Sequence, residues 1–194
     1  MSFKEFNKDI KSGVIGSNIF LYGEEGFLTD WAVKTIVENN SSEADRKYVV
    51  TDLDGETVTA QEIVETANTM TMFASTRVLT VKNYSPLVKK SAVTETAPIL
   101  EYLSNPNPST ILLFYLEPLE SPGKKEKLNA FATKVSGVCN TYNFERLNSA
   151  ELKSFVSKRI RAAGKLIGAR DMDYLVDISG YLNNDSEYDL YRME

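Results

Sequence analysis

Two short apolar runs, Val78 to Val81 and Ile111 to Leu116, constrain the fold most, because each is bounded by polar or turn residues and a helical pattern lies between them. Runs apolar on consecutive positions suit strands covered on both faces, which is the situation of a parallel sheet flanked by helices. The rest of the chain follows that alternation. "NIFLYG" reads as a strand breaking at Gly23, and "FLTDWAVKTIVENN" as a helix with Trp31 at an apolar, core-facing position. "RKYVVTDLDG" reads as a strand, "TAQEIVETANTM" as a helix, "RVLTVKN" as a strand and "ETAPILEYLSN" as a helix. "STILLFYLE" is the next strand, "KKEKLNAFATKV" a helix and "GVCNTYNF" the last strand. An amphipathic helix with Phe3, Phe6 and Ile10 on one face precedes them and closes at Gly13. The expectation is an α/β fold: a mainly parallel five-stranded sheet with helices on both faces.

Beyond Phe144 the strand pattern stops. "NSAELKSFVSKRIRAAG" opens with Asn148 and Glu151 in capping-box spacing, "ARDMDYLVDISG" forms a second helix closed by Gly180, and "DSEYDLYRME" starts a third. The expected division is residues 1–144 as the α/β domain and 145–194 as an incomplete helical domain, so that the chain reads as the N-terminal part of a longer protein.

The residue inventory narrows the chemistry. The 194 residues include no histidine and a single cysteine, Cys139, which removes histidine bases, Ser-His and Cys-His pairs, disulfides and thiolate metal sites within the chain. A net charge of −5 gives no overall field for holding nucleic acid. No window has the roughly 20 apolar residues of a membrane span and the N-terminus lacks the apolar core of a signal peptide, so no membrane partner and a cytoplasmic location are expected.

"FLYGEEGFLTD" follows a strand and opens a helix, the place of a phosphate-binding loop. Counting from Gly23, the positions of the required Gly-Lys-Ser/Thr hold Leu28, Thr29 and Asp30. The lysine is missing, and Glu24, Glu25 and Asp30 would repel a triphosphate. The magnesium-holding acid expected at the end of a neighbouring strand is replaced by Lys82 and Asn83, leaving Glu117 as the one strand-end carboxylate. Gly23 and Gly26 then read as a strand-to-helix turn needing backbone freedom, with no cofactor and no ATPase activity.

In "TMTMFASTRVLTVKN", Met70, Met72 and Phe73 stand among small polar residues just ahead of a strand. From the residues alone they are either core or offered to a partner. The basic residues Lys158, Arg159, Arg161 and Lys165 read as a solvated helix face or a contact with DNA or another subunit, and Lys124, Lys125 and Lys127 invite the same two readings.

Taken in order and spacing, "YGEExFL", "ANTMxxFAxxRxLxVKN" and "NPxPSTxLxF" resemble the delta subunit family of bacterial DNA polymerase III, part of the sliding-clamp loader, over essentially the whole chain. The resemblance implies a P-loop/AAA+-like first domain without ATPase activity, a small helical lid-like second domain, and a collar domain absent from this chain. It also implies binding of the sliding clamp (beta subunit) and opening of one ring interface, with ATP acting on neighbouring motor subunits. Further implied partners are delta prime and, only within the assembled loader, primed DNA. In that family two adjacent apolar residues enter a clamp pocket; the matching positions are Met72 and Phe73, where the family more often has Leu or Phe at the first. Met70 is either a rim contact or core. The alternative is a degenerate P-loop protein serving as a scaffold or nucleotide-binding module in another DNA-processing assembly.

Overall fold

The computed structural model describes residues 1–70, 75–118, 128–183 and 189–193. Helix α1 (Phe3–Ser12) ends where Gly13 turns left-handed, at φ 67°. The sheet strands are β1 (Asn18–Tyr22), β2 (Val50–Asp54), β3 (Arg77–Lys82), β4 (Thr110–Tyr115) and β5 (Asn140–Asn143). They pair in the order β2-β3-β4-β1-β5, every described pairing parallel. The connections carry α2 (Gly26–Asn40), α3 (Arg46–Val49), α4 (Ala60–Asn68), α5 (Ser85–Val88), α6 (Val93–Ser104) and α7 (Ala130–Val138). Helices α8 (Ser149–Ala162) and α9 (Ala169–Ser179) and a 3-10 turn at Leu190–Met193 follow.

Both faces of the sheet are covered, which is why its central strands read as unbroken apolar runs. Ile19, Leu21, Ile111 and Leu113 enter one core together with Phe6, Leu28 and Ile36. The alternate residues Phe20, Leu112 and Phe114 enter the other, against Ile63, Ile99 and Val135. The first core continues into the helical segment: Leu152, Val156, Met172, Val176, Tyr181 and Leu190 are buried in the same cluster. The side chains of Asn148 and Glu151 close the predicted capping box at the start of α8.

Four boundaries differ from expectation. Arg46–Val49 is a helical turn, so the strand predicted from Arg46 begins only at Val50. Thr69 is extended, at φ −70° and ψ 126°, so α4 ends at Asn68 and Met70 lies beyond it rather than on its last turn. The helix predicted from Lys124 starts at Ala130, capped by the Asn129 side chain accepting from the Ala132 amide at 2.8 Å. The last segment forms a 3-10 turn instead of an α-helix. Among the described residues no helix is long and apolar enough to cross a membrane.

Candidate functional site

All strands run the same way, so the connections divide between the two edges of the sheet. The Gly23–Gly26 turn leaves β1 at the C-terminal edge. The connection from α4 into β3 lies at the N-terminal edge, the full length of the strands away.

At the C-terminal edge, Gly23 takes φ 140°, and a Cβ there would lie 2.4 Å from the Phe144 carbonyl oxygen, so a side chain has neither the conformation nor the room. Of the three acids in and after this turn, Glu25 is withdrawn from the surface, whereas Asp30 is exposed. Glu25 is 1% exposed, and its carboxylate accepts from the Tyr181 hydroxyl at 2.7 Å and the Leu190 amide at 3.3 Å. Tyr181 in turn accepts from the Leu147 amide at 2.9 Å, and the Arg146 guanidinium lies 4.6 Å from its ring centre. Burial raises the Glu25 pKa above the usual carboxylate range, partly offset by those two donors. Glu24 is half-buried, Leu28 and Thr29 are buried, and Asp30 accepts from the Tyr191 hydroxyl. Gly26 lies under Pro118, whose ring carbon would be 3.0 Å from an added Cβ. The acids at the start of α2, Glu25 and Asp30, thus take their partners from the chain's own Tyr181, Leu190 and Tyr191.

The strand-end carboxylate is occupied as well. Glu117 pairs with Lys82 at 2.6 Å and accepts from the Asn83 side-chain amide at 3.0 Å, while its own amide donates to Asn83 Oδ1 at 2.8 Å. The Lys82 bond holds the Glu117 pKa below its ordinary value and raises that of Lys82. Glu117 is therefore a staple between the ends of β3 and β4.

At the other edge, Met72 and Phe73 lie outside the described residues, as do Lys124, Lys125 and Lys127. What flanks Met72 and Phe73 is well held. Met70 is 90% exposed and is no part of this chain's core. The carbonyls ending α4 are pinned: Arg77 donates to Thr66 O at 3.0 Å and to Thr51 Oγ1 at 2.8 Å. Thr110 Oγ1 and Asn107 Nδ2 both donate to Ala67 O, at 2.8 and 3.1 Å. The sequence reading missed this brace. Its only signal was a polar residue at the start of each of two largely apolar strands, Arg77 of β3 and Thr110 of β4.

The basic cluster splits. Arg161 and Lys165 are exposed around the C-terminus of α8, where positive charge suits the helix dipole. Lys158 and Arg159 instead border a groove of about 600 Å³ between α1, α2 and α8. Trp31, expected in the core, stands half-buried in its wall and touches Phe3 edge-on at 5.6 Å.

The family model "DNA polymerase III, delta subunit" matches residues 20–138, more than half of the chain. The chain belongs to the DNA polymerase III delta subunit family. No curated protein matches it in sequence. Among solved structures, the Bacillus subtilis DNA clamp loader delta protein is similar at a TM-score of 0.71 and 19% identity, over 94% of this chain and 54% of that one. DnaA from Aquifex aeolicus bound to AMPPCP aligns at a TM-score of 0.53 and 12% identity, over 98% of this chain and 57% of that one. A Thermotoga maritima RuvB variant gives 0.51 and 12%, over 91% and 53%. These likenesses establish the AAA+-like α/β fold. The chain spans about half the length of each of these proteins.

Proposed function

We propose that this delta-family chain binds the sliding clamp through Met72 and Phe73, with Met70 at the rim, and favours opening of one ring interface without hydrolysing ATP itself. The observation that carries the reading is the match to the delta family, which spans the whole α4–β3 connection. The pinned end of α4 supports it, because a connection whose starting point is fixed has less freedom to lose on docking. Burying a Met and a Phe in a partner pocket contributes roughly 1.5–3 kcal/mol each. Ring opening follows only if the open clamp is bound more tightly than the closed one. The Glu25–Tyr181 contact supports a turn without phosphate chemistry: a buried carboxylate inside the turn would repel an incoming phosphate, and the lysine position holds Thr29.

In this reading residues 1–144 form the clamp-binding domain and 145–194 the start of a lid-like helical domain. Motor subunits, delta prime and, through the assembled loader, primed DNA are the remaining partners, in the cytoplasm. Titration calorimetry against the sliding clamp of the same organism tests the proposal. The chain should bind saturably, and Met72→Ala with Phe73→Ala should abolish binding while leaving the unfolding transition unchanged. A folded wild-type chain that does not bind the clamp overturns the anchor.

A further inference from the structure

We infer that Tyr48, with Lys47 against its ring, is a further contact for the sliding clamp beside Met70, an inference that rests on the clamp reading above. Strand β2 is an edge strand and β3 its parallel neighbour, with Val50 opposite Val78. Neighbouring strands lie about 4.8 Å apart. The turn α3, which runs straight into β2, and the α4–β3 connection therefore enter the sheet side by side at its N-terminal edge. Each presents a large apolar side chain to solvent: Tyr48 is 52% exposed and Met70 90%.

The ring is held in place by its own turn. The amides of Tyr48 and Val49 donate to the Asp45 carbonyl at 2.8 and 3.1 Å, and Val49 turns inward at 1% exposure, which sends the adjacent Tyr48 outward. Lys47 Nζ lies 4.8 Å from the Tyr48 ring centre, a cation–π contact that restrains the ring further. Arg77 reaches from Thr66 O at the end of α4 to Thr51 Oγ1 in β2, so the two entrances are braced to one another. A tyrosine fixed in this way offers a large contact area with little freedom to lose, which is why tyrosine is over-represented among residues that dominate interfaces.

The occupant is the clamp because of where Tyr48 stands. A stable interface buries about 800 Å² on each partner, more than a two-residue anchor supplies. A partner seated on the connection before β3 must also cover the neighbouring strand entrances, and that of β2 carries the exposed ring. Arg46 and Lys47 are exposed on either side of the approach to it, which suits carboxylates on the facing surface of the clamp.

The experiment is titration calorimetry against the sliding clamp of the same organism, with urea unfolding of each variant. Tyr48→Ala should raise Kd about five- to thirtyfold at an unchanged unfolding midpoint, while Tyr48→Phe, and Tyr174→Ala on the exposed face of α9, should stay within about twofold of wild type. Hydroxyl-radical footprinting of the wild-type chain reads the same contact without any substitution: saturating clamp should protect Tyr48 from oxidation and leave Tyr174 unprotected. Wild-type affinity in Tyr48→Ala, an equal loss in Tyr174→Ala, or no protection of Tyr48 overturns the inference. Self-association of the chain that Tyr48→Ala abolishes also overturns it, by assigning this face to a second copy. Binding that is lost with Met72→Ala and Phe73→Ala but normal with Tyr48→Ala overturns this contact alone. Binding that survives the first pair but is lost with Tyr48→Ala overturns the Met72–Phe73 anchor alone, and a folded wild-type chain that does not bind overturns both.

Discussion

Replacing Tyr181 with phenylalanine removes one oxygen from a contact that joins the turn after β1 to the helical segment. The hydroxyl donates to Glu25 at 2.7 Å and accepts from the Leu147 amide at 2.9 Å, and both Tyr181 and Glu25 are 1% exposed. The ring, its packing and its contact with Arg146 are retained, so the substitution isolates the polar part. A hydrogen bond to a charged group contributes about 1.5–3 kcal/mol, and a buried amide left without a partner costs about 1–3 kcal/mol. Glu25 keeps the Leu190 amide and can relax by taking up a proton, so the two losses do not add fully. We expect Tyr181→Phe to cost about 2–4 kcal/mol at neutral pH, measured by urea unfolding. For a chain of this size that lowers Tm by roughly 5–15 °C. The penalty should also shrink as pH falls. Without the Tyr181 donor the Glu25 pKa rises further, and protonation then removes the uncompensated charge. A loss below about 0.5 kcal/mol at neutral pH, or one independent of pH, would refute the claim that this hydroxyl holds a buried carboxylate.

Three further predictions follow from named contacts. Because the folded state raises the Glu25 pKa, its contribution to stability is full below the unfolded pKa and is lost as pH rises through the folded pKa; Glu25→Gln should remove that slope from the stability-pH profile. Gly23→Ala meets both a positive φ and the Phe144 carbonyl at 2.4 Å, so it should cost more than about 1 kcal/mol in urea unfolding; an unchanged midpoint would mean that the turn adapts. Arg77→Ala removes the donors to Thr66 O and Thr51 Oγ1 and should cost about 1.5–3 kcal/mol. It should also weaken clamp binding several-fold in calorimetry at temperatures where the variant is fully folded, an effect that stability alone would not produce.

How much of this was legible in the sequence depends on whether the cause is local. Val78 to Val81 and Ile111 to Leu116 announced central strands because residues of opposite parity are both buried, and Asn148 with Glu151 announced a helix start three residues wide. "RKYVV" misled because a β-branched and aromatic composition outweighs the single helical turn that Arg46–Val49 makes before β2. The empty lysine position was visible at Thr29. The partners of Glu25 were not, since Tyr181 and Leu190 stand 156 and 165 residues from it. The clue was chemical rather than periodic: a glutamate inside a tight strand-to-helix turn needs donors, and none lies nearby in the chain.

The two edges of the sheet can therefore change independently. Tyr181, Leu190 and Tyr191 close the C-terminal edge through contacts to Glu25 and Asp30. Arg77, Asn107 and Thr110 brace the N-terminal edge through contacts to the end of α4. No residue belongs to both sets, and the buried centres of β1, β3 and β4 separate them. Glu25, held by the helical segment, shares no contact with the residues that hold the end of α4. That glutamate ties the helical segment to the sheet by hydrogen bonds internal to the chain.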